Sequence, residues 1–249
     1  MVDDHKNDCA VCGKPLVYPD TLRSATCSYC KRPFVANALC EAGHYVCDGC
    51  HSLRGNDLIE RYCLSVETTD PLETALVLMR SPMIKMHGPE HHFLVPAVIL
   101  KAYYNALNIP AEAESALRMA RQRSEKVLGG FCGFYGNCGA AVGTGIAVSV
   151  ITGATPLSRK EWRQSNLMTA KSLLTIAHHG GPRCCKRNSF LAIREAVGFI
   201  EEELGVTLTK GEPKCEFSHL NRECLGEDCL FYGGEGGTRP SRDLPIRLL

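Results

Sequence analysis

The sequence predicts a mainly α-helical protein that carries a small cysteine-rich N-terminal module of the zinc-ribbon or treble-clef kind. Three observations predict it. Cysteines in pairs two residues apart crowd the stretch 1–66. From Asp70 onward, apolar residues return at helical spacing, with prolines and capping residues at the starts and glycines at the stops. The 249 residues, 45% hydrophobic and 22% charged, suit one medium domain plus a small one. The division expected is 1–66 for the metal-binding module, 67–232 for the helical domain and 233–249 for a flexible tail rich in glycine.

A net charge of +1 gives no case for a nucleic-acid partner or a membrane surface. The start, MVDDHKNDC, lacks the apolar stretch of a secretory signal, so the cytoplasm is the expected location. The fifteen cysteines fit metal or iron–sulfur ligation in a reducing compartment better than a disulfide framework, because the count is odd and the spacing is paired.

In the first module, Cys9-x-x-Cys12, Cys27-x-x-Cys30 and Cys47-x-x-Cys50 are ligand pairs, with Cys40, His44 and His51 around the last of them and Cys63 beyond. A tetrahedral zinc site needs four such ligands. The simplest pairing is one zinc on Cys9, Cys12, Cys27 and Cys30. A second zinc would then sit on Cys40, Cys47, Cys50 and either His44 or His51. A pairing of the first couple with the third is the alternative. Cys63 is either a substitute ligand or a buried thiol. Sites closed by four protein ligands leave no open position, so these metals are expected to hold the segment together rather than to catalyse.

The helical domain follows in order. Asp70-Pro71 opens a helix through Leu72, Ala75, Leu76 and Met79. Pro89 opens the next, through Phe93, Ala97, Leu100, Tyr104 and Leu107. Its lead-in, His87-Gly88-Pro89-Glu90-His91-His92, offers His87, Glu90 and His91 as proton handlers or ligands. The same three match the His-x-x-Glu-His string of some zinc peptidases, although Gly88-Pro89 interrupts the helix that string requires. Pro110 opens an amphipathic helix to about Lys126.

Next comes Gly129 to Gly145, GGFCGFYGNCGAAVGTG, read as the floor of a cysteine-lined site. Its glycines are read as room for neighbouring backbone or for whatever the site holds. The small, apolar run that follows to about Thr155 is a buried helix, too short to span a bilayer. Pro156 starts a long helix that stops at Gly180-Gly181, and Cys184-Cys185 begins another to about Leu204. A helix start and the bases Arg183, Lys186 and Arg187 are expected to lower the thiol pKa values, which suits Cys184 and Cys185 as ligands, nucleophiles or a redox pair. Cys215, Cys224 and Cys229 in the tail resemble iron–sulfur ligands, with a fourth from Cys132, Cys138, Cys184 or Cys185.

The strings MHGPEHHFLVPA, GGFCGFYGNCGAAVGTGI, TGATPLS, GGPRCCKRNSFLAI and CEFSHLNREC resemble an uncharacterised domain-of-unknown-function family of methanogens and other strict anaerobes. CAVCGKPLVY and GHYVCDGCHS resemble its cysteine-rich leader. Some members are fused to SAM-dependent methyltransferase domains, which implies such an enzyme as a partner. A weaker similarity links CGAAVGTGIAVSVITG to redox-associated proteins with a Cys-Gly-Cys-Ala-x-x-Gly motif, although Gly136 stands where that motif has its first cysteine.

The function expected is redox or sulfur-transfer chemistry on an iron–sulfur cluster, in a protein that also holds zinc, with an electron- or sulfur-transfer protein as partner. Two alternatives stand beside it: a non-catalytic zinc module that binds a protein or RNA, and a zinc hydrolase using His87, Glu90 and His91.

Overall fold

The computed structural model describes residues 9, 11, 14, 16, 17, 19, 21–36, 39–47, 50 and 55–233. The architecture is mainly helical, with a cysteine group in the N-terminal region, as the sequence predicts. Cys12, His51 and the stretch 234–249 lie outside the described residues.

Two antiparallel hairpin-like pairs build the N-terminal region. Strand β1 (Leu16–Val17) pairs with β4 (Leu39–Cys40), with Leu16 opposite Cys40. Strand β2 (Arg23–Thr26) pairs with β3 (Pro33–Ala36), with Arg23 opposite Ala36. The β2–β3 connection is the Cys27–Cys30 turn, closed by the Cys27 N–H on the Arg32 carbonyl at 2.9 Å.

Helix α1 (Gly55–Ser65) then buries Leu58, Ile59, Tyr62 and Cys63. The sequence analysis places no helix here, because its five apolar residues make a pattern only eleven residues long beside the cysteine-rich stretch. Helix α1 packs on α3 (Glu90–Ala106) and α4 (Ala113–Ser124), so it ties the metal region to the helical body. Tyr62 meets Tyr29 edge-on at 6.3 Å, and the Ser65 hydroxyl donates to the Tyr29 carbonyl at 3.1 Å. Arg121 of α4 clamps α1 through Asp57 at 2.5 Å and Glu60 at 2.6 Å.

Helix α2 (Pro71–Met79) starts as its sequence dictates: the Asp70 carboxylate accepts from the Leu72 and Glu73 N–H groups, and proline fills the first position. Helix α3 is the axis of the fold. Residues from Phe93 to Ala102 are buried on every side, so the helix is surrounded by α1, α2, α4, α6 (Gly139–Thr152) and α8 (Cys185–Leu204). A one-turn helix, α5 (Phe131–Phe134), precedes α6, and α7 (Lys160–His178) packs along its other side. Helix α7 begins at Lys160 rather than at Pro156, because Thr155 and Ser158 first close a turn through each other's N–H and hydroxyl groups.

The glycines of the central run have a use the sequence left open. A Cβ at Gly143 would stand 2.9 Å from Pro96 Cδ and 3.1 Å from the His92 carbonyl, and one at Gly139 would overlap the His92 ring. A Cβ at Gly145 would overlap the Thr169 hydroxyl of α7. These glycines admit α3 and α7 on either side of α6, so the room they make is taken by neighbouring helices and not by a ligand. Pro96 fits the middle of α3 on the side where α6 comes this close.

After α8 the chain returns to the helical body. The Thr209 N–H bonds the Thr69 carbonyl at 3.1 Å, and Cys215 and Tyr232 bridge the two ends of the last loop. Phe231 packs on Phe190 with ring centroids 5.3 Å apart, which lays the three tail cysteines across the start of α8. Among the described residues no helix is long and apolar enough to cross a membrane.

Candidate metal centres

Two ion-sized ligand groups occupy the N-terminal region. Cys27, Cys30, Cys47 and Cys50, all buried, form one; Cys9, Cys40 and His44 form the other. Within each, the ligand atoms lie within 4.8 Å of one another. The Cys30 and Cys47 sulfurs are 3.8 Å apart. Tetrahedral ligation with metal–sulfur bonds of about 2.3 Å spaces sulfurs by roughly this much. Both groups can therefore hold a metal ion.

The pairing differs from both sequence readings. Cys9 does not join Cys27 and Cys30, and Cys47 and Cys50 do not join Cys40. The ligand couples alternate along the chain, and backbone pairing is the reason. Strand β1 lies on β4, which carries the turn after Cys9 to Cys40. The Ser28 N–H bonds the Tyr45 carbonyl at 2.7 Å, which carries Cys47 to Cys27. Cys12 and His51, named as ligands from spacing, lie outside the described residues.

Backbone N–H groups already face the sulfurs: Val11 on Cys9 at 3.4 Å, Ala42 on Cys40 at 3.3 Å and Cys47 on Cys27 at 3.4 Å. Such bonds hold thiolate ligands in orientation. Arg61 of α1 adds a guanidinium N–H 3.8 Å from Cys50 Sγ, a contact no spacing rule reveals. Four thiols this close cannot all ionise without a cation. Burial and the neighbouring Cys47 sulfur push Cys50 up to about 12. Burial also acts against the Cys30 thiolate, but the Arg32 N–H and the three surrounding thiols bring that thiol down to about 7. Cys63 is fully buried away from either group, and burial raises its thiol to about 12. It is a core thiol.

The second feature is a pocket at the start of α8. Cys184, Cys215, Cys224 and Cys229 line it, together with Met86, Arg187 and the aromatic rings of Phe190, Phe217, Phe231 and Tyr232. It is a tight cavity, with about 20 Å³ of room for water-sized molecules, partly open to solvent. The arrangement is wider than the N-terminal ones: no three of its sulfurs form an ion-sized group. Backbone N–H groups again point at sulfur, from Arg187 to Cys184, Phe217 to Cys215 and Gly226 to Cys224, each at 3.4 Å.

Charge around the pocket departs from expectation. Burial raises Cys184 and takes Cys185 to about 11, outweighing the helix start and the bases expected to lower these two thiols, and it takes Cys215 to about 11 as well. Lys186 and Arg187 are committed elsewhere. Lys186 is buried, and its ammonium donates to the Met79 and Ile84 carbonyls at 2.9 and 3.1 Å and sits 4.2 Å over the Phe217 ring. The Arg187 guanidinium donates to the Gly180 and Pro182 carbonyls at 2.7 and 3.0 Å, which pins the glycine turn before α8. Arg187 is at the pocket wall and Lys186 lies behind the Phe217 ring, each held by backbone carbonyls.

The other residues singled out from sequence fall elsewhere. Cys185 and Cys138 do not line the pocket, and neither does Cys132, although Cys185 adjoins Cys184 in the chain. His91 is buried with both ring nitrogens engaged, Nδ1 with the Ser189 hydroxyl at 3.1 Å and Nε2 with the Lys85 carbonyl at 3.0 Å. Burial, and then the Lys186 charge, drive its pKa to about 3. The Glu90 carboxylate accepts from the Lys85 N–H at 2.7 Å and so closes the turn before α3. No ion-sized group among the described residues contains His87, Glu90 or His91. His91 and Glu90 act here as the fastening of a helix start.

No curated protein matches the chain, and no solved structure does. The match to a family is of a different order. It takes in residues 59–232, from within α1 to the end of the tail loop, with the pocket cysteines inside it and the ligands from Cys9 to Cys50 before it; the chain belongs to DUF5714, a family of unknown function.

Proposed function

We propose that this chain is an iron–sulfur protein of redox or sulfur-transfer chemistry, with zinc at its two N-terminal ligand groups. The observation that carries the reading is the pocket. Cysteines from two chain segments, Cys184 on one side and Cys215, Cys224 and Cys229 on the other, face one aromatic-walled space. Their spread beyond ion-sized grouping suits a cluster, whose irons stand apart, better than one bare ion. N–H groups on three of the four sulfurs, and two fixed cations nearby, suit a bound group carrying negative charge. A cluster there would supply one-electron chemistry or sulfide; the chain's part is to hold it, limit water and set its charge environment. The partner this reading calls for is a protein that gives or takes electrons or sulfur.

Zinc fits the N-terminal groups because four thiolates, or thiolates with histidine, in tetrahedral spacing are its preferred ligands. The set of Cys27, Cys30, Cys47 and Cys50 leaves no open position, so its role is structural.

The test is metal and acid-labile sulfide analysis of protein purified without oxygen, with its visible spectrum. Iron and sulfide that disappear in C184S and C215S, while zinc stays, would support the reading. A colourless protein with zinc as its only metal would refute it.

A further inference from the structure

Cys184 and Cys185 adjoin in sequence but face different surroundings. Cys184 is the capping residue of α8 and belongs to the pocket. Cys185 is the first helical residue and lies outside that pocket, within reach of the charge on Cys138. Asn188, three residues on and therefore on the same face of α8, holds its amide Nδ2 3.6 Å from Cys138 Sγ. Cys138 is itself the capping residue of α6, in extended conformation. Asn188 thus links the two helix starts, with its amide on the Cys138 sulfur and its backbone one turn after Cys185.

The surroundings separate this pair from a metal site. No third cysteine, histidine or carboxylate completes an ion-sized group with Cys138 and Cys185. Both thiols are half-buried. The chain leading into each thiol is exposed, Gly133 to Gly136 before Cys138 and Gly181 to Arg183 before Cys185, and only Cys138 has a side-chain amide on its sulfur, that of Asn188.

We propose that Cys138 and Cys185 are a redox-active thiol pair, separate from the four-cysteine pocket, that reduces low-molecular-weight disulfides by thiol–disulfide exchange. Cys138 Sγ, oriented by the Asn188 amide at the α6 start, attacks one sulfur of the disulfide. That S–S bond breaks, and the first leaving thiolate takes up the proton that Cys138 released. Cys185 then gives up its proton and attacks Cys138 Sγ in the mixed disulfide, expelling the second thiolate, which takes that proton. Two protein thiols become one protein disulfide, and one small disulfide becomes two thiols. This goes beyond the iron–sulfur reading and does not depend on it.

The experiment uses the full chain, purified without oxygen and exposed to glutathione disulfide. Acid quenching, alkylation of remaining thiols and peptide mass mapping then follow. In the unaltered protein a peptide joined through Cys138 and Cys185 is expected, and a dithiol reductant should remove it. C185S should stall as a glutathione adduct on Cys138, whereas C138S should show roughly ten-fold less adduct at Cys185, because the attacking thiol is gone. Recovery of both cysteines as alkylated thiols, a disulfide joining Cys185 to Cys184 instead, or a metal that C138S and C185S both lose would overturn the proposal. Iron and sulfide are measured in the same samples. Absence of iron with the joined peptide present sinks the cluster reading alone, and iron present without that peptide sinks this one alone.

Discussion

Replacing His91 by glutamine tests whether this histidine fastens a helix or handles protons. The side chain is 1% exposed and neutral, with Nε2–H donating to the Lys85 carbonyl and Nδ1 accepting from Ser189. Its folded pKa is about 3, against an ordinary value near 6.5. The unfolded chain therefore binds a proton below pH 6.5 that the folded chain refuses until about pH 3. Stability attributable to this site is full above pH 6.5 and falls as the pH drops. Going from pH 8 to pH 5 removes about 2 kcal/mol, from just under 1.4 kcal/mol for each unit below the unfolded value. Glutamine can donate to Lys85 in the same way and has no proton to gain. H91Q should be less stable than the parent at pH 8 by about 1 kcal/mol, for a less well-formed hydrogen-bond set. It should then lose about 2 kcal/mol less than the parent on going to pH 5. Urea unfolding followed by circular dichroism, run side by side at both pH values, measures the difference; metal release at low pH is common to the two proteins and cancels. Equal losses in the two proteins would refute the reasoning, and so would a variant that unfolds at pH 8.

Three further outcomes follow from the packing and the ligand groups. C47S should remove one equivalent of bound metal and leave the Cys9–Cys40–His44 group loaded, while C9S should do the reverse; metal content by mass spectrometry distinguishes this alternating pairing from one in which Cys9 shares an ion with Cys27. G143A should destabilise by about 1–3 kcal/mol, because its Cβ meets Pro96 and the His92 carbonyl, neither the loose end of a side chain; a thermal unfolding midpoint unchanged from the parent would count against the close α3–α6 contact. R121A should cost about 1–2 kcal/mol, since one guanidinium, 27% exposed, serves Asp57, Glu60 and Glu125 and joins α1 to α4. The loss should shrink in high salt, and a salt-independent loss would point to packing instead.

Much of the helical body is legible in the sequence because its signals are local. Asp70-Pro71, Pro89 and the glycines after α7 and α8 each act within one turn of where they stand. Helix α1 escaped because its apolar positions make a short pattern whose buried partners lie in α3 and α4. The candidate site was legible as a set of cysteines but not as a partition. Nothing local marks Arg61 beside Cys50, Asn188 beside Cys138, or Lys186 and Arg187 as already occupied by backbone carbonyls.

The sequence by itself determined the mainly helical class, the cysteine-rich start, several of the helix boundaries and the supply of thiols in couples. These depend on residues a few positions apart, and the chain order states them directly. Only the tertiary structure decided which couples share an ion, because that depends on β1 lying on β4 and on Ser28 meeting Tyr45. It also decided that Cys184 and Cys185 part company. Cys184 is the capping residue in extended conformation and Cys185 the first helical one, so one thiol lines the pocket with the tail loop and the other does not. And it decided what the glycines of the central run are for. Spacing along the chain shows that something comes close, and only the packing shows that it is α3 and α7.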